Sequence, residues 1–228
     1  MGAIYLIRHG QASFGKPDYD SLSETGVRQC EILGKYLSET GVAFDRVYSG
    51  AMRRQTDSAK IALGDVAPVE MPEFDEHDTG AIMKSQLPGM VAEDPALSEH
   101  LDNFFTDGRA FQKLFSKAMY RWISGGHDAP GVETFKEFNK RVEKGFSKAL
   151  DESGDDEKVA VFTSGGVISA IMRIVLGLSD EKAMRLAWWI RNTSVSVLRK
   201  GGSGLDMVSF NSIAHLERRN DPALLTYK

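Results

Sequence analysis

The order of apolar and polar positions predicts a strand, a loop and a helix at the start of the chain. Residues 3–7 form a continuous apolar run, which is typical of a strand covered on both faces, and the tripeptide Arg8-His9-Gly10 follows it directly. Apolar side chains then recur every three or four residues between positions 23 and 40, with Ser23 as a suitable N-cap. The tripeptide therefore lies between a buried strand and an amphipathic helix.

Two more units of this kind follow, and each has a glycine-containing turn between its strand and its helix. We predict strands at residues 46–48 and 158–163, with helices from Met52 to about Leu63 and from Val167 to Leu176. A further amphipathic helix over residues 132–150 precedes the later strand, and residues 194–199 and 205–210 are expected to pair as a hairpin. Strands that alternate with helices in this way favour a parallel sheet.

The resulting fold class is α/β, a three-layer α/β/α sandwich with a mostly parallel sheet. We expect one domain over residues 1–228, in which residues 81–131 form a helical cap insertion, because prolines and glycines interrupt short amphipathic runs there. In such sheets the binding sites lie at the carboxyl ends of the strands. Three polar clusters fall at those ends: Arg8-His9-Gly10, residues 49–56 and Ser164-Gly165-Gly166.

Composition narrows the possible partners and compartments. The 228 residues include 28 Lys and Arg against 32 Asp and Glu, for a net charge of -4, which argues against nucleic acid as a partner. The one cysteine, Cys30, cannot form an internal disulfide or build a zinc site by itself, and we expect it to be buried and inert. The apolar runs are too short for a signal peptide or a membrane span. We therefore expect a cytoplasmic protein without a membrane partner, and its oligomeric state stays open.

The polar clusters suggest phosphoryl chemistry without proving it. A histidine at the end of a buried strand can act as a nucleophile toward phosphorus, although His9 can equally be a loop residue that caps a helix. Arginine suits bidentate contacts with phosphate, but Arg53 and Arg54 can also be a solvated surface pair. Glu76 stands among several acidic residues, any of which can serve as a general acid or base.

A family resemblance connects these separate signals. The segment LIRHGQAS resembles the signature of the histidine phosphatase superfamily, also called phosphoglycerate mutase-like, and further similar segments follow in family order. They are Leu22 to Gln29, Ser49 to Thr56, Glu76 with Gly80, Gly131 to Thr134 with Arg141, Asn192 to Ser194, and Asn211 to Leu216.

The resemblance implies a phosphatase that works through a phosphohistidine on His9. It implies that Arg8 and Arg53 hold the phosphoryl oxygens and that Glu76 is the proton donor. Gln11, Ser164 and Gly165 are then substrate-binding residues, and the substrate is a small phosphomonoester or a phosphoprotein. The resemblance requires no metal and no cofactor.

One position departs from the family pattern. Where the family has Ser-His-Gly-Gly after its last parallel strand, this chain has Thr163-Ser164-Gly165-Gly166, so Ser164 stands in place of the second catalytic histidine. Loss of such a donor typically costs about 3 kcal/mol of transition-state stabilisation, so we expect slow turnover. His77, His127 and His215 are the substitutes to consider for the missing imidazole. His77 is next to Glu76, but that position is expected to point it away from the target of Glu76, and we expect His215 to be structural.

The departure leaves two alternatives to an active phosphatase. A catalytically impaired phosphate-binding or protein-interaction module would keep the pocket without turnover. A phosphoglycerate mutase is disfavoured, because that branch has a Trp-Asn pair where this chain has Ala12-Ser13-Phe14-Gly15.

Overall fold

The computed structural model describes residues 2–13, 20–64, 66–101, 108–201 and 204–227. Phe14 and Gly15, residues 102–107 of the predicted cap, and residues 202 and 203 between the two predicted hairpin strands lie outside these ranges. The strands are β1 (Ala3–Arg8), β2 (Arg46–Ser49), β3 (Val69–Glu70), β4 (Lys158–Thr163), β5 (Val195–Gly201) and β6 (Gly204–Ser212). The helices are α1 (Glu24–Glu39), α2 (Arg53–Leu63), α3 (Thr79–Glu93), α4 (Ser98–Leu101), α5 (Gly108–Ser124), α6 (Phe135–Asp151), α7 (Gly165–Leu176), α8 (Asp180–Ala187) and α9 (Ala214–Glu217).

The six strands form one sheet in the order β3-β2-β4-β1-β5-β6. The pairs β1/β4, β2/β4 and β2/β3 are parallel, whereas β1/β5 and β5/β6 are antiparallel. The sheet is therefore mostly parallel, as predicted, and the antiparallel edge is the predicted hairpin. The parallel pairs require crossover connections, which α1, α2 and α6 supply along the chain.

Both faces of the sheet are buried. On one face, Ile7 and Phe162 pack in a cluster with Leu33 of α1 and Ala59 of α2. The alternate side chains of β1 and β4, such as Leu6, are also fully buried on the opposite face. Burying one such aliphatic side chain contributes about 1.5–3 kcal/mol. The predicted three-layer α/β/α fold is confirmed.

The chain divides into two compact units. The first combines Met1–Glu76 with Arg141–Lys228 and contains the sheet, and the second is His77–Lys140. In the second unit, α3 and α5 share an apolar core that includes Met90, Leu97 and Leu114. The described part of residues 81–131 contains helices and no strand. That this segment caps the site and sets its selectivity stays a prediction.

One local expectation needs correction. Pro88 was expected to interrupt the helical pattern, yet it lies inside α3, which runs from Thr79 to Glu93. The helix tolerates the proline because its buried side, with Met83 and Met90, packs in the core of its own unit. Trp188 and Trp189 follow the end of α8, and Trp189 is 65% exposed.

In the described part of the chain, every helix is too short or too polar to span a lipid bilayer.

Candidate active site

The ends of three parallel strands bring the predicted polar clusters to one edge of the sheet. Arg8 is paired in register with Thr163, and Ser49 with Phe162. The backbone N–H of His9 donates to the Thr163 carbonyl at 2.8 Å, which continues the ladder one residue beyond β1. His9 and Ser164 therefore leave neighbouring strands at the same level.

His9 is buried, and its contacts indicate a neutral imidazole that is protonated on Nδ1. Its Nδ1 lies 2.6 Å from the Gly10 carbonyl oxygen, which can only accept, so Nδ1 carries the proton and Nε2 has the lone pair. Burial, followed by the charges of Arg54 and Arg8, lowers the pKa of His9 well below its ordinary value. The Gly10 position leaves no space for a side chain, because a Cβ there would lie 2.5 Å from the Gly26 carbonyl oxygen.

The loop after α8 donates hydrogen bonds to the backbone carbonyls of Arg8 and His9. The Asn192 side-chain amide donates to the His9 carbonyl at 3.1 Å, and the Thr193 N–H donates to the Arg8 carbonyl at 3.1 Å. Thr193 has a φ of 55°, a left-handed conformation that is unfavourable for a β-branched residue. Its hydroxyl lies 3.0 Å from Nε2 of His215, which confirms the structural role expected for that histidine.

Arg8 lies close to the start of α7. Its guanidinium donates through NH1 to the Ile190 carbonyl. A Cβ at Gly165 would lie 3.8 Å from Arg8 Nε and 3.1 Å from the Ala187 carbonyl oxygen. The glycine thus lets the start of α7 approach the arginine.

The second arginine at His9 is Arg54, whereas the family resemblance implied Arg53. Arg54 is buried, and its Nε–H donates to His9 Nε2 at 3.3 Å. The Arg53 side chain is 60% exposed and pairs with Asp57 one helical turn away. Asp20 holds both residues, since its carboxylate accepts from Arg54 NH1 at 2.6 Å and from the Arg53 backbone N–H at 2.8 Å.

Glu76 is distinguished from its acidic neighbours by its contact. Its Oε2 accepts from the Gly166 backbone N–H at 2.8 Å, at the positive end of the α7 dipole, and its charge acts on His9. Asp75 instead accepts from the Ala51 N–H at 2.6 Å and so fixes the turn before α2. Burial raises the pKa of Asp75. Arg141 donates to the carbonyls of residues 72, 73 and 75, which anchors the segment that carries Glu76.

Ser164 is buried at the N-cap position of α7, but its hydroxyl does not cap that helix. Its Oγ accepts a hydrogen bond from the Gln55 side-chain amide at 2.8 Å. Gln11, also predicted at the site, is tied to the start of α1: its side-chain oxygen accepts from Ser23 Oγ and its N–H donates to the Gln29 side chain, both at 2.8 Å. The described site therefore combines Arg8, His9, Arg54, Glu76 and Ser164, with Gln11 at its margin.

The remaining histidines and the cysteine have other partners. The His77 ring packs against Trp122 and Phe138 at centroid distances of 5.0 and 5.4 Å, within the second unit. His127 is exposed and lies 3.0 Å from the Arg121 guanidinium. Cys30 is buried as expected, and burial raises the pKa of its thiol to about 11. The thiolate, which is the reactive form, is therefore scarce near neutral pH.

Comparison with known proteins identifies the family of this chain. The profile of the histidine phosphatase superfamily, branch 1, matches residues 4–110 and 90–213, most of the chain. The chain belongs to the histidine phosphatase superfamily.

Relatives of this superfamily member have more than one activity. This chain is 25% identical to a 2,3-bisphosphoglycerate-dependent phosphoglycerate mutase of Beijerinckia indica. The match extends over 187 residues, which are 78% of this chain and 83% of that protein. This chain is 29% identical over 119 residues to the mitochondrial serine/threonine-protein phosphatase Pgam5 of Caenorhabditis briggsae, which covers 52% of this chain and 40% of that protein. A phosphoserine phosphatase structure from Entamoeba histolytica matches 95% of this chain and 100% of that one, at 18% identity and a TM-score of 0.67. That structural likeness shows the fold alone.

The sequence of this superfamily member did not mark Arg54, Gln55 and Asp20 as residues of the site. One available signal was the spacing of small residues in α2: Ser58 and Ala62 lie four and eight positions after Arg54, and both are buried. Ser58 also accepts the Gly10 N–H at 2.9 Å, which binds this helix face to the end of β1. No such stripe follows Arg53.

Proposed function

We propose that this protein is a metal-independent phosphohydrolase that forms a phosphohistidine on His9. The observation that carries the proposal is the buried, neutral imidazole, whose Nε2 lone pair faces the Arg54 guanidinium while Nδ1 donates to a carbonyl. A neutral imidazole is the nucleophilic form, and Arg8 and Arg54 supply the positive charge that a phosphoryl group requires. The substrate class is a small phosphomonoester or a phosphoprotein.

The reaction proceeds in two balanced steps. His9 Nε2 attacks phosphorus, so that an N–P bond forms and the P–O bond to the leaving alkoxide breaks. The Glu76 carboxyl group gives its proton to that alkoxide. Water then attacks phosphorus, so that a new P–O bond forms and the N–P bond to His9 breaks, and the proton of the water passes to the Glu76 carboxylate. This step releases inorganic phosphate and regenerates neutral His9.

We further propose that turnover is slow, because Ser164 takes the position at which the family carries a second histidine. A serine hydroxyl can donate one hydrogen bond, but it brings no positive charge to the transition state. We expect a rate well below the roughly 10 per second of an ordinary enzyme.

Hydrolysis of a chromogenic phosphomonoester in the presence of a chelator tests the proposal. Wild-type protein is expected to release phosphate and to trap an acid-labile, base-stable phosphoryl label, and His9→Ala is expected to lose both. If His9→Ala keeps wild-type turnover, the proposed mechanism is wrong.

A second candidate is a phosphate-binding or interaction module without useful turnover, and the neutral Ser164 side chain favours it. This candidate predicts that wild-type protein binds inorganic phosphate but neither hydrolyses the ester nor traps the label. The mutase alternative, raised by the relative from Beijerinckia indica, predicts interconversion of phosphoglycerates when 2,3-bisphosphoglycerate is added. We consider it less favoured, because the Trp-Asn pair of that branch is missing from the sequence.

A further inference from the structure

We propose that Gln55 is a positioning residue that fixes the Ser164 hydroxyl as a hydrogen-bond donor to a phosphoryl oxygen. This inference rests on the proposed phosphate site and assigns a role to a residue that no motif marked. It explains how a neutral side chain can serve at a position where the family uses an imidazole.

The orientation of the Gln55 amide is set by a backbone carbonyl. The Gln55 nitrogen lies 3.2 Å from the Phe74 carbonyl oxygen, which can only accept, so the atom facing it is the NH2 group. The same nitrogen lies 2.8 Å from Ser164 Oγ. The amide therefore donates to both oxygens and cannot accept from the serine.

The Ser164 hydroxyl is left with its proton to donate. Its oxygen already accepts from Gln55, and among the described residues the hydroxyl donates to no protein group. Ser164 is buried and does not cap α7. A buried donor without an acceptor costs about 1–3 kcal/mol, and an anion bound at the site would supply the acceptor.

The neighbourhood of Ser164 places this donor beside the phosphate-binding groups. Thr163, one residue earlier, accepts the His9 N–H at 2.8 Å. Gly165, one residue later, would bring a Cβ within 3.8 Å of Arg8 Nε. Gln55 itself directly follows Arg54, the arginine that contacts His9.

Gly50 lacks a side chain at a place where one would collide with the Gln55 amide. A Cβ at Gly50 would lie 2.0 Å from Gln55 Oε1 and 2.7 Å from the Phe74 carbonyl oxygen. The Gln55 oxygen is buried and has no hydrogen-bond partner in the described part of the chain. The amide is thus kept in place by its two donated bonds and by the absence of a side chain at Gly50.

A double-mutant cycle on phosphate affinity tests the inference. The dissociation constant for inorganic phosphate would be measured by titration calorimetry for wild type, Gln55→Met, Ser164→Ala and the double variant. Each single change is expected to raise the constant by about tenfold, the value of one hydrogen bond to a charged group. The double variant is expected to be no worse than Ser164→Ala, because Gln55 acts only through Ser164.

Ser153→Ala is the matched control, since it removes a buried hydroxyl between α6 and the amino end of β4. It should leave phosphate affinity unchanged. If Gln55→Met is too unstable to purify, Gln55→Asn replaces it, because the shorter amide cannot reach both oxygens.

Additive losses in the double variant, an unchanged affinity in either single variant, or no phosphate binding by wild type would each overturn the inference. Turnover and phosphoryl trapping by His9→Ala are measured separately. If phosphate binding follows the cycle while His9→Ala keeps its turnover, the proposed reaction fails and the Gln55 inference stands. If His9→Ala loses turnover and the cycle is additive, only the inference fails.

Discussion

The carboxyl ends of β1 and β4 lie side by side in the sheet, but they carry different polar groups. Both strands are buried, run parallel and pass directly into polar residues. The end of β1 carries Arg8 and His9, and α2 adds Arg54 to them. The end of β4 carries Ser164, whose only described side-chain partner is the neutral amide of Gln55.

The difference shows where charge is supplied in this site. All the described positive charge near His9 comes from the arginines, whereas the β4 side offers oriented dipoles, the Ser164 hydroxyl and the start of α7. The Gly166 N–H, in the first turn of α7, donates to Glu76, so the N-terminus of this helix holds the carboxyl group. We infer that phosphate binding depends mainly on the arginines, and that rate depends on how well the β4 side replaces a cation.

Removal of Arg54 from the charged end of β1 should cause the largest loss of activity. Arg54→Ala is expected to lower kcat/KM for a phosphomonoester by about 100- to 1000-fold, because the guanidinium is a buried charged donor next to His9. Steady-state kinetics check this. Arg53→Ala is the matched control and should stay within about twofold of wild type, since its ion pair is exposed. Equal losses in the two variants would restore the sequence-based assignment of Arg53.

Acid should weaken the support beneath the end of β1. Burial lowers the pKa of His215 to about 4, whereas an unfolded histidine has a value near 6.5. Below about pH 6.5 this histidine therefore binds a proton in the unfolded chain but not in the folded chain. As the pH is lowered from about 6.5 to about 4, the free energy of unfolding falls by about 3 kcal/mol because of this residue. At higher pH both states are neutral and the effect vanishes.

Urea unfolding of wild type and His215→Gln at several pH values measures this contribution. The variant is expected to lose less stability between pH 6.5 and 4 than wild type does. A part of the fall should remain, because the pKa of His9 is lowered as well. Parallel curves for the two proteins would show that His215 does not contribute.

A histidine in place of Ser164 should bring positive charge to the end of β4 and raise the rate of turnover. Ser164→His is expected to raise turnover by about ten- to a hundredfold, which corresponds to the roughly 3 kcal/mol ascribed to a charge-stabilising donor. Single-turnover and steady-state rates per mole check this. The same change combined with His9→Ala should be inactive, and a gain that survives would mean that the new imidazole works by another route. If wild type already turns over at about 10 per second, the neutral donor suffices.

The smallest effect is expected at Asp20, which orients Arg54 without contacting His9. Asp20→Asn should lower kcat/KM by about fivefold, because one charge-assisted hydrogen bond to the guanidinium is weakened. In the Arg54→Ala background the same change should have no further effect. A further loss there would assign Asp20 a role that is independent of Arg54.

Much of this arrangement follows from local pattern. The apolar runs of β1 and β4 indicated buried strands, and the helical spacing after Ser23 indicated α1, which begins at Glu24 with Ser23 as its N-cap. Because parallel strands share an edge, the pattern also indicated that His9 and Ser164 would be neighbours. These features depend on residues that are close in sequence, so periodicity is enough to reveal them.

The choice between Arg53 and Arg54 required the folded protein. Adjacent residues on a helix point about 100° apart, so two consecutive arginines cannot both face β1. The packing of α2 against the sheet decided that Arg54 does, whereas the family resemblance had implied Arg53.

The sequence by itself determined which polar residues follow each buried strand. A histidine follows β1, a serine follows β4, and the arginines of α2 lie between them along the chain. Only the tertiary structure decided which donors and acceptors meet, since the Phe74 carbonyl, the Gln55 amide and the Ser164 hydroxyl come from three separate segments. A hydrogen bond has a direction that depends on every partner around it. No local pattern carries that information, so the polarity of the Ser164 hydroxyl is a property of the fold.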